Sequence, residues 1–226
     1  MLNRVLEPEV MDDPSEAAAY DAMNHDGVNS LFVSDIHHSI FPKTLDGPIL
    51  DLGSGNSLIP LLVQKAFPNC AVVALDAARS MLAIAQNHVA KFSPNQIGLV
   101  QARVQRLPYE DGVFKLVISN SLVHHLPEPW AAFVEAWRVV APGGWIFLRD
   151  LARPETNGEL EGLVKTYAAG ESDTAQRLFA ESLHAALTVV EVRDLVTRLG
   201  AKPESVFASS DRHWTWFLEK PASQGK

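Results

Sequence analysis

From Pro48 onward, short apolar runs alternate with segments of helical periodicity, and this alternation constrains the fold more than any other feature. Five strands are predicted over the apolar runs 48–51, 71–75, 97–100, 114–119 and 145–148, with apolar residues at helical spacing between several of them. Uninterrupted apolar runs are typical of strands that are buried on both faces. The sequence therefore predicts an α/β fold, in which a doubly wound, mostly parallel sheet carries helices on both sides.

The two ends of the chain depart from this alternation. Residues 12–40 are predicted to form two short helices, and residues 155–200 up to three helices. The last of these begins at the capping box Thr188–Glu191 and stops at Gly200. Residues 205–209 and 213–218 then predict two terminal strands. We expect residues 1–45 to form a helical lid, residues 46–226 the main domain, and residues of about 153–187 a helical cap inserted over the site.

The composition limits the partners and the compartment. The chain has 226 residues and a formal net charge of −8, which disfavours non-specific binding of nucleic acid, so a small-molecule substrate is expected. Its single cysteine, Cys70, allows no internal disulfide, which suits a reducing compartment. Residues 1–13 lack the pattern of a signal peptide, and no run approaches the length of a membrane span. We therefore expect a cytoplasmic protein.

The segment 49–56, ILDLGSGN, combines a strand end, a glycine turn and a helix start. The glycines let a ligand approach the backbone closely, and the helix N-terminus offers unpaired N–H groups. A dinucleotide-binding loop would need a small residue three positions after Gly55, where Leu58 stands. Asp51 would tend to repel a pyrophosphate, whereas it suits a ligand with an ammonium group. These features favour a nucleoside that carries an amino acid over NAD.

A second acid agrees with this interpretation. Asp76 ends the second predicted strand and lies 23 positions after Gly53, near the ~20 that is typical of a ribose-binding carboxylate. Such a group can accept hydrogen bonds from both ribose hydroxyls. Asp76 could also cap the helix that follows, and the two roles are compatible.

Four segments resemble, in order and in spacing, the class I S-adenosylmethionine-dependent methyltransferases, closest to the ubiquinone/menaquinone-biosynthesis (methyltransferase type 11) branch. They are ILDLGSGN, ALDAARSML, LPYEDGVFKLVISNSLVHHLPEP and APGGWIFLRD, within residues 48–150. The resemblance implies a Rossmann-like, seven-stranded sheet with an antiparallel terminal strand. It also implies S-adenosyl-L-methionine as cofactor and methyl transfer to a small molecule by in-line displacement at the sulfonium methyl.

Carried over residue by residue, the resemblance implies a cofactor site. Its residues would be Asp51, Gly53, Ser54, Gly55 and Asn56 around the methionine part, Asp76 at the ribose, Ala77, Met81, Arg103, Val104 and Gln105 at the adenine, and Asn120 and Ser121 beside the reactive methyl. Tyr20 would fold over the cofactor, although a core or interface role is equally compatible with the sequence. Arg103 stands where the family usually presents an acid and has no acceptor for the adenine amino group. Either Gln105 or a backbone carbonyl replaces that acid, or Arg103 stacks on the ring or turns to solvent.

The implied chemistry needs little from the protein beyond alignment and the exclusion of water, because a sulfonium methyl is already activated. A general base is needed only for a poor nucleophile, and the candidates are His124, His125 and Asp150. The candidate substrate residues are His124, Arg149, Asp150, His184, Arg212 and His213. Adjacent residues of a strand point opposite ways, so at most one of Arg149 and Asp150 should face the pocket. No metal site is predicted, because successive histidines diverge and no partner set at ligand spacing accompanies them.

Two other functions stay open at this point. The chain could be a non-catalytic scaffold or partner subunit that binds S-adenosylmethionine, or, less favoured, an NAD-dependent oxidoreductase. A monomer or a homodimer is compatible with the sequence.

Overall fold

The computed structural model describes residues 2–7, 12–92 and 96–222. Within them, seven strands form one sheet in the order β3-β2-β1-β4-β5-β7-β6. The strands are β1 (Ile49–Leu52), β2 (Val72–Asp76), β3 (Ile97–Gln101), β4 (Phe114–Asn120), β5 (Val140–Leu151), β6 (Val206–Ala208) and β7 (His213–Glu219). Strands β1 to β5 pair in parallel, and β7 runs antiparallel to both β5 and β6. The predicted fold class, including the antiparallel terminal strand, is confirmed.

Helices cover both faces of the sheet. They are α1 (Pro14–Asp21), α2 (Asp26–Ile40), α3 (Leu58–Ala66), α4 (Arg79–Phe92), α5 (Trp130–Val139), α6 (Asn157–Tyr167), α7 (Asp173–Ala185) and α8 (Val189–Arg198). The predicted capping box is present at the start of α8, where Thr188 and Glu191 bond each other's backbone N–H groups. No helix in the described ranges is both long enough and apolar enough to cross a bilayer.

The core has two halves because successive strand residues point to opposite faces of the sheet. Val117 of β4 packs with α5 and α8 on one face, whereas its neighbours Leu116 and Ile118 pack with α2 and α3 on the other. Trp214 and Trp216 belong to the first half and are fully buried. The two tryptophans are therefore core residues.

Strand β5 begins five residues before the predicted start at Trp145 and follows α5 directly. The segment Pro142-Gly143-Gly144, which the sequence predicts to be a turn, lies inside the strand. Gly143 has a φ of +71°, and a Cβ on Gly144 would lie 2.9 Å from the carbonyl oxygen of Lys115. The two glycines thus allow an irregular pairing with β4, where the register shifts between Phe114 and Leu116.

The N-terminal segment 2–7 and helices α1, α6 and α7 pack in two small clusters outside the main core. Helix α1 lies on α4, where Ala17 contacts Ala78 and Met81. Helices α6 and α7 form a small cluster of their own with Leu151 and with Leu2 of the N-terminal segment 2–7. These helices fall within the sequence ranges predicted as lid and cap, whose roles stay predictions.

Candidate active site

The glycine loop joins β1 to α3 at the carboxyl edge of the sheet. The backbone N–H groups of Gly53 and Ser54 donate to the carbonyl oxygen of Leu75, at 2.8 and 3.0 Å, and tie the loop to the end of β2. Gly53 has a φ of +70°, and a Cβ built on it would lie 2.7 Å from Cδ1 of Leu122. The loop therefore needs glycine at this position for its conformation and for the close approach of Leu122.

A cavity beside this loop brings together several of the predicted cofactor residues. It is lined by Tyr20, Asn29, Asp51, Gly53, Ser54, Gly55, Asn56, Ile59 and Asn120. Its volume is about 40 Å³, enough for a water molecule but far less than a nucleoside needs. Tyr20 of α1 forms part of its wall, so the position of α1 decides how much space is open.

Asp51 is the most unusual residue of the cavity. Its side chain is buried, and its Oδ2 has no hydrogen-bond partner among the described residues. Burial, together with the nearby charge of Asp76, raises the pKa of Asp51 well above its usual range. A buried carboxylate without a partner is costly, so this position favours a cationic ligand. The hydroxyls of Ser54 and Ser57 are also buried without a partner among the described residues, which leaves hydrogen-bonding capacity beside Asp51.

Asp76 holds the glycine loop and the start of α4 together. Its Oδ2 accepts from the N–H of Gly55 at 2.7 Å, and its Oδ1 accepts from the N–H of Ala78 at 2.8 Å. Burial raises the pKa of Asp76 despite these hydrogen bonds. The capping role considered from the sequence is therefore present, and each carboxylate oxygen keeps a lone pair for a further donor.

The residues predicted to contact adenine lie on two sides of Asp76. Ala77 follows it directly, and the loop after β3 is fixed to it by a 3.0 Å hydrogen bond from Ala102 N to the carbonyl oxygen of Asp76. That loop carries Arg103, Val104 and Gln105, of which Val104 is buried in the core half that contains α5. Met81 is buried against Ala17 of α1.

The last residue of β4 and the residue that follows it also belong to the candidate site. Asn120 lines the cavity, and Ser121 has a φ of +57°, a conformation that is uncommon for a residue other than glycine. Ser121 is held there by a 3.0 Å hydrogen bond from its N–H to the carbonyl oxygen of Arg149. Such outliers cluster at functional sites.

The predicted catalytic residues His124, His125 and Asp150 meet beside the sheet edge. Residues Val123–His125 form a 3-10 turn, and Asp150 accepts hydrogen bonds from the backbone N–H groups of Val123 and His124. Nδ1 of His124 lies 2.5 Å from Oδ1 of Asp150. Burial lowers the pKa of His124, but the adjacent carboxylates of Asp150 and Glu7 outweigh it and raise the pKa above the usual 6.5. None of these three residues lines the cavity beside the glycine loop.

Arg149 and Asp150 lie on opposite faces of the sheet, in agreement with their adjacent positions in β5. Nη1 of Arg149 donates to Oδ2 of Asp35 in α2 at 2.8 Å, and its Nε donates to Oγ1 of Thr215 at 3.0 Å. Its guanidinium also lies over the rings of Phe32 and Phe147. These contacts join α2 to the sheet, away from His124.

The other predicted substrate residues are more dispersed. His184 lies in the last turn of α7, and its carbonyl oxygen accepts from Val5 N at 3.1 Å. Arg212 stacks on the ring of Tyr167, at 3.3 Å from its centroid. His213 pairs with Leu151 in the sheet, and burial, with the charges of two nearby arginines, lowers its pKa to about 4. His213 is therefore neutral at physiological pH, which removes it as a cation for an anionic substrate.

Sequence reasoning missed several residues of this region. Asn29 lines the cavity and falls on the apolar stripe of α2, at the spacing of Phe32, Val33 and Ile36. A polar residue inside such a stripe was a usable signal. Glu7 gave no signal, because only the folded chain brings it to the histidines after β4.

Comparisons with known proteins agree with this geometry. The methyltransferase domain family model matches residues 50–148. The malonyl-[acyl-carrier protein] O-methyltransferase of Geobacter sulfurreducens is 27% identical over 195 residues, which cover 84% of this chain and 68% of the relative. The demethylmenaquinone methyltransferase of Bacillus pumilus is 26% identical over 147 residues, covering 62% of this chain and 63% of the relative.

Two solved structures show the same fold. An S-adenosyl-L-methionine-dependent methyltransferase of Methanococcus maripaludis matches with a TM-score of 0.71 and 19% identity, over 98% of this chain and 100% of that chain. The plantazolicin methyltransferase BpumL in complex with SAH matches with a TM-score of 0.71 and 14% identity, over 92% and 91%.

The fold and the glycine loop are similar to those of Rossmann-like methyltransferases. Residues 50–148, a little under half of the chain, match the methyltransferase domain family, and both curated relatives are methyltransferases, so the predicted resemblance and the predicted class of enzyme are confirmed. S-adenosylmethionine, the predicted cofactor, is the one named for the Methanococcus structure.

Proposed function

We propose that this chain transfers the methyl group of S-adenosylmethionine to a small-molecule acceptor. The observation that carries the proposal is the buried carboxylate of Asp51, whose Oδ2 has no partner among the described residues at the glycine loop. A ligand with an ammonium and a sulfonium group supplies the positive charge that this position lacks, whereas a pyrophosphate would add repulsion.

The residues present fit this cofactor. Asp51 and the free hydroxyl of Ser54 suit its amino-acid part, and Asp76 suits the two ribose hydroxyls. Asn120 and Ser121 follow β4 at the edge where ligands of open α/β sheets bind. Ala77, Met81, Arg103, Val104 and Gln105 remain the proposed surroundings of the adenine. The cofactor supplies an activated methyl group, and the residues of the chain bind it, orient it and exclude water.

We assign the lid role to residues 1–45 on the contacts of α1. Oδ1 of Asp21 accepts from Nδ2 of Asn56 at 2.7 Å and lies 2.9 Å from Nε2 of His88. Ala17 packs against Met81, where the adenine is expected. Because the cavity is small with α1 in this position, we propose that α1 moves outward to admit the cofactor and that Tyr20 closes over it.

The acceptor side is proposed around β5 and the helical cap of residues 153–187. His124, His125 and Asp150 are the candidates for a general base if the acceptor is a neutral hydroxyl or an acidic carbon. Arg149, His184 and Arg212 are candidates for contacts to the acceptor, and His213 would act as a neutral group. The two curated relatives are named for a malonyl-[acyl-carrier protein] and for demethylmenaquinone, which supports an acceptor of metabolic origin.

The proposal is tested by incubating the chain with S-adenosylmethionine labelled in its methyl group and with metabolite extracts. We expect a labelled small molecule with the unaltered chain and far less of it with Asp51→Asn. A chain that binds the cofactor but labels no product from any extract would overturn methyl transfer and favour the scaffold alternative.

The affinity for S-adenosylhomocysteine is expected to fall as the pH is lowered. Asp51 has a raised pKa, so it takes up a proton at a higher pH than an ordinary aspartate, and the neutral acid no longer attracts the ligand's ammonium group. Titration calorimetry between about pH 8 and about pH 4.5 measures this dependence.

Asp51→Asn is the matched variant, because the amide keeps the size of the side chain but does not take up a proton as the pH falls. It should bind more weakly at high pH and should show a flatter pH dependence, while the contribution of Asp76 persists. An equally steep dependence in both proteins would show that Asp51 does not face the ligand.

A further inference from the structure

A second cluster of polar side chains lies where the N-terminal segment 2–7 crosses the 3-10 turn Val123–His125. Oε1 of Glu7 lies 3.3 Å from Nε2 of His124 and 2.8 Å from Nδ1 of His125. The three atoms lie within 4.8 Å of one another. The side chains of Glu7 and His124 are 10% and 5% exposed, whereas that of His125 is 30% exposed, so water reaches the cluster on the side of His125.

The spacing of these atoms suits a metal ion. Ligand atoms at about 2.0–2.2 Å from a tetrahedral ion lie about 3.3–3.6 Å apart. The separation of Glu7 from His124 already has this value, and Glu7 would have to withdraw from His125 by only ~0.5 Å. The rings of the two histidines are 4.1 Å apart, and both approach the same carboxylate oxygen of Glu7.

Asp150 provides the support that metal-bound histidines commonly have. It lies 2.5 Å from Nδ1 of His124 and so leaves Nε2 free to face Glu7. A carboxylate at the second ring nitrogen fixes the tautomer and the orientation of a histidine ligand. Asp150 is itself held by the backbone N–H of His124 at 3.1 Å, so the orientation of the ring is well fixed.

The charges of the cluster also favour a cation. Glu7 and Asp150 are acidic, whereas Arg4 is the basic residue beside them, with its Nη2 donating to the carbonyl oxygens of His124 and Leu126 at 3.3 and 2.8 Å. Glu7 and Asp150 carry two negative charges against the one positive charge of Arg4, so a bound cation would balance the charges of these three side chains. The positive charge could be a proton on His124 or a metal ion. The proton would join His124 to Glu7 and Asp150, whereas the metal ion would bind Glu7, His124 and His125 together.

We propose that Glu7, His124 and His125 bind a divalent transition-metal ion of the zinc type. Imidazole and carboxylate ligands suit zinc, and three protein ligands leave a fourth position for a water or another oxygen ligand. The ion joins the N-terminal segment to the turn that follows β4. Neither the cofactor nor methyl transfer is needed for it to bind, so this inference can fail while the proposed function stands. If the ion binds, His124 and His125 are its ligands and do not act as general bases.

The test is a titration of the full chain, freed of metal by a chelator, with Zn²⁺ in competition with a chromophoric chelator. We expect one tightly bound equivalent and a rise in the thermal midpoint. Glu7→Gln and His125→Gln should each weaken binding at least ~10-fold, and Asp150→Asn should weaken it by about 10–100-fold, as is usual for outer-shell partners.

Two controls separate this site from adventitious binding. His38→Gln alters the other histidine doublet of the sequence, and His88→Gln alters a histidine that pairs with Asp21; both should bind like the unaltered chain. Glu7→Gln lies near the chain end and should fold, so a loss of zinc binding with an unchanged circular dichroism spectrum would support the site. The absence of a tightly bound equivalent, or binding unchanged in both Glu7→Gln and His125→Gln, would overturn it in favour of a protonated His124 between two carboxylates.

Discussion

Gly53→Ala is expected to lower the free energy of unfolding by about 2–4 kcal/mol, through left-handed backbone strain and overpacking. The φ of Gly53 is +70°, and the new Cβ would meet Leu122 Cδ1 at 2.7 Å, with the Cβ and Cδ2 of the same side chain at 3.1 Å. Leu122 would have to shift as a whole, and the loop would move with it. We therefore also expect the affinity for S-adenosylhomocysteine to fall at least ~10-fold, which corresponds to about 1.4 kcal/mol.

Gly55→Ala is the matched control. Gly55 has a φ of +53°, but nothing lies within 4 Å of the Cβ that it would carry, so only the strain of about 1 kcal/mol remains. Chemical denaturation measures both variants. Equal losses of stability in the two would contradict the assignment of the larger effect to the contact with Leu122.

Asp76→Ala is expected to weaken the binding of S-adenosylhomocysteine by more than about 1.5 kcal/mol, the lower end for a hydrogen bond to a charged group. The alanine removes the carboxylate proposed to accept from the ribose hydroxyls. It also removes the acceptor for the N–H groups of Gly55 and Ala78, so thermal unfolding must accompany the calorimetry. The conservative variant Asp76→Asn keeps one acceptor oxygen. Its affinity for S-adenosylhomocysteine should lie between those of the unaltered chain and of Asp76→Ala.

Asp46→Ala is the control for loss of a negative charge. Asp46 is exposed and precedes β1, at the opposite edge of the sheet from the glycine loop, and its removal should leave the affinity unchanged. An unchanged affinity in a folded Asp76→Ala protein would contradict the ribose role of Asp76.

The sheet and the glycine loop could be predicted because they depend on local patterns. Runs such as Ala71–Leu75 are apolar throughout, since both faces of an inner strand are covered, and the loop ILDLGSGN needs its residue types for its own backbone. The start of β5 could not be predicted in this way. The sequence Pro142-Gly143-Gly144 is typical of a turn, and only the pairing with β4 shows that it continues the strand.

The cofactor side of the site was more predictable than the acceptor side for a related physical reason. Asp51 lies one residue before the end of β1 and Asp76 ends the neighbouring strand β2, so the topology alone brings them to one edge of the sheet. Glu7 reaches His124 from a segment more than a hundred residues away in sequence, and no periodicity encodes that contact. The expectation that consecutive histidines diverge is wrong for His124 and His125, whose rings lie 4.1 Å apart, because both side chains turn toward the carboxylate of Glu7.

We propose above all that Asp51 at the glycine loop selects a nucleoside that carries an ammonium group over a dinucleotide. Titration calorimetry of the full chain with S-adenosylhomocysteine and, separately, with NAD tests it most directly. We expect saturable one-to-one binding of S-adenosylhomocysteine, weaker binding in Asp51→Asn, and no measurable binding of NAD. Binding of NAD without any binding of S-adenosylhomocysteine would contradict it.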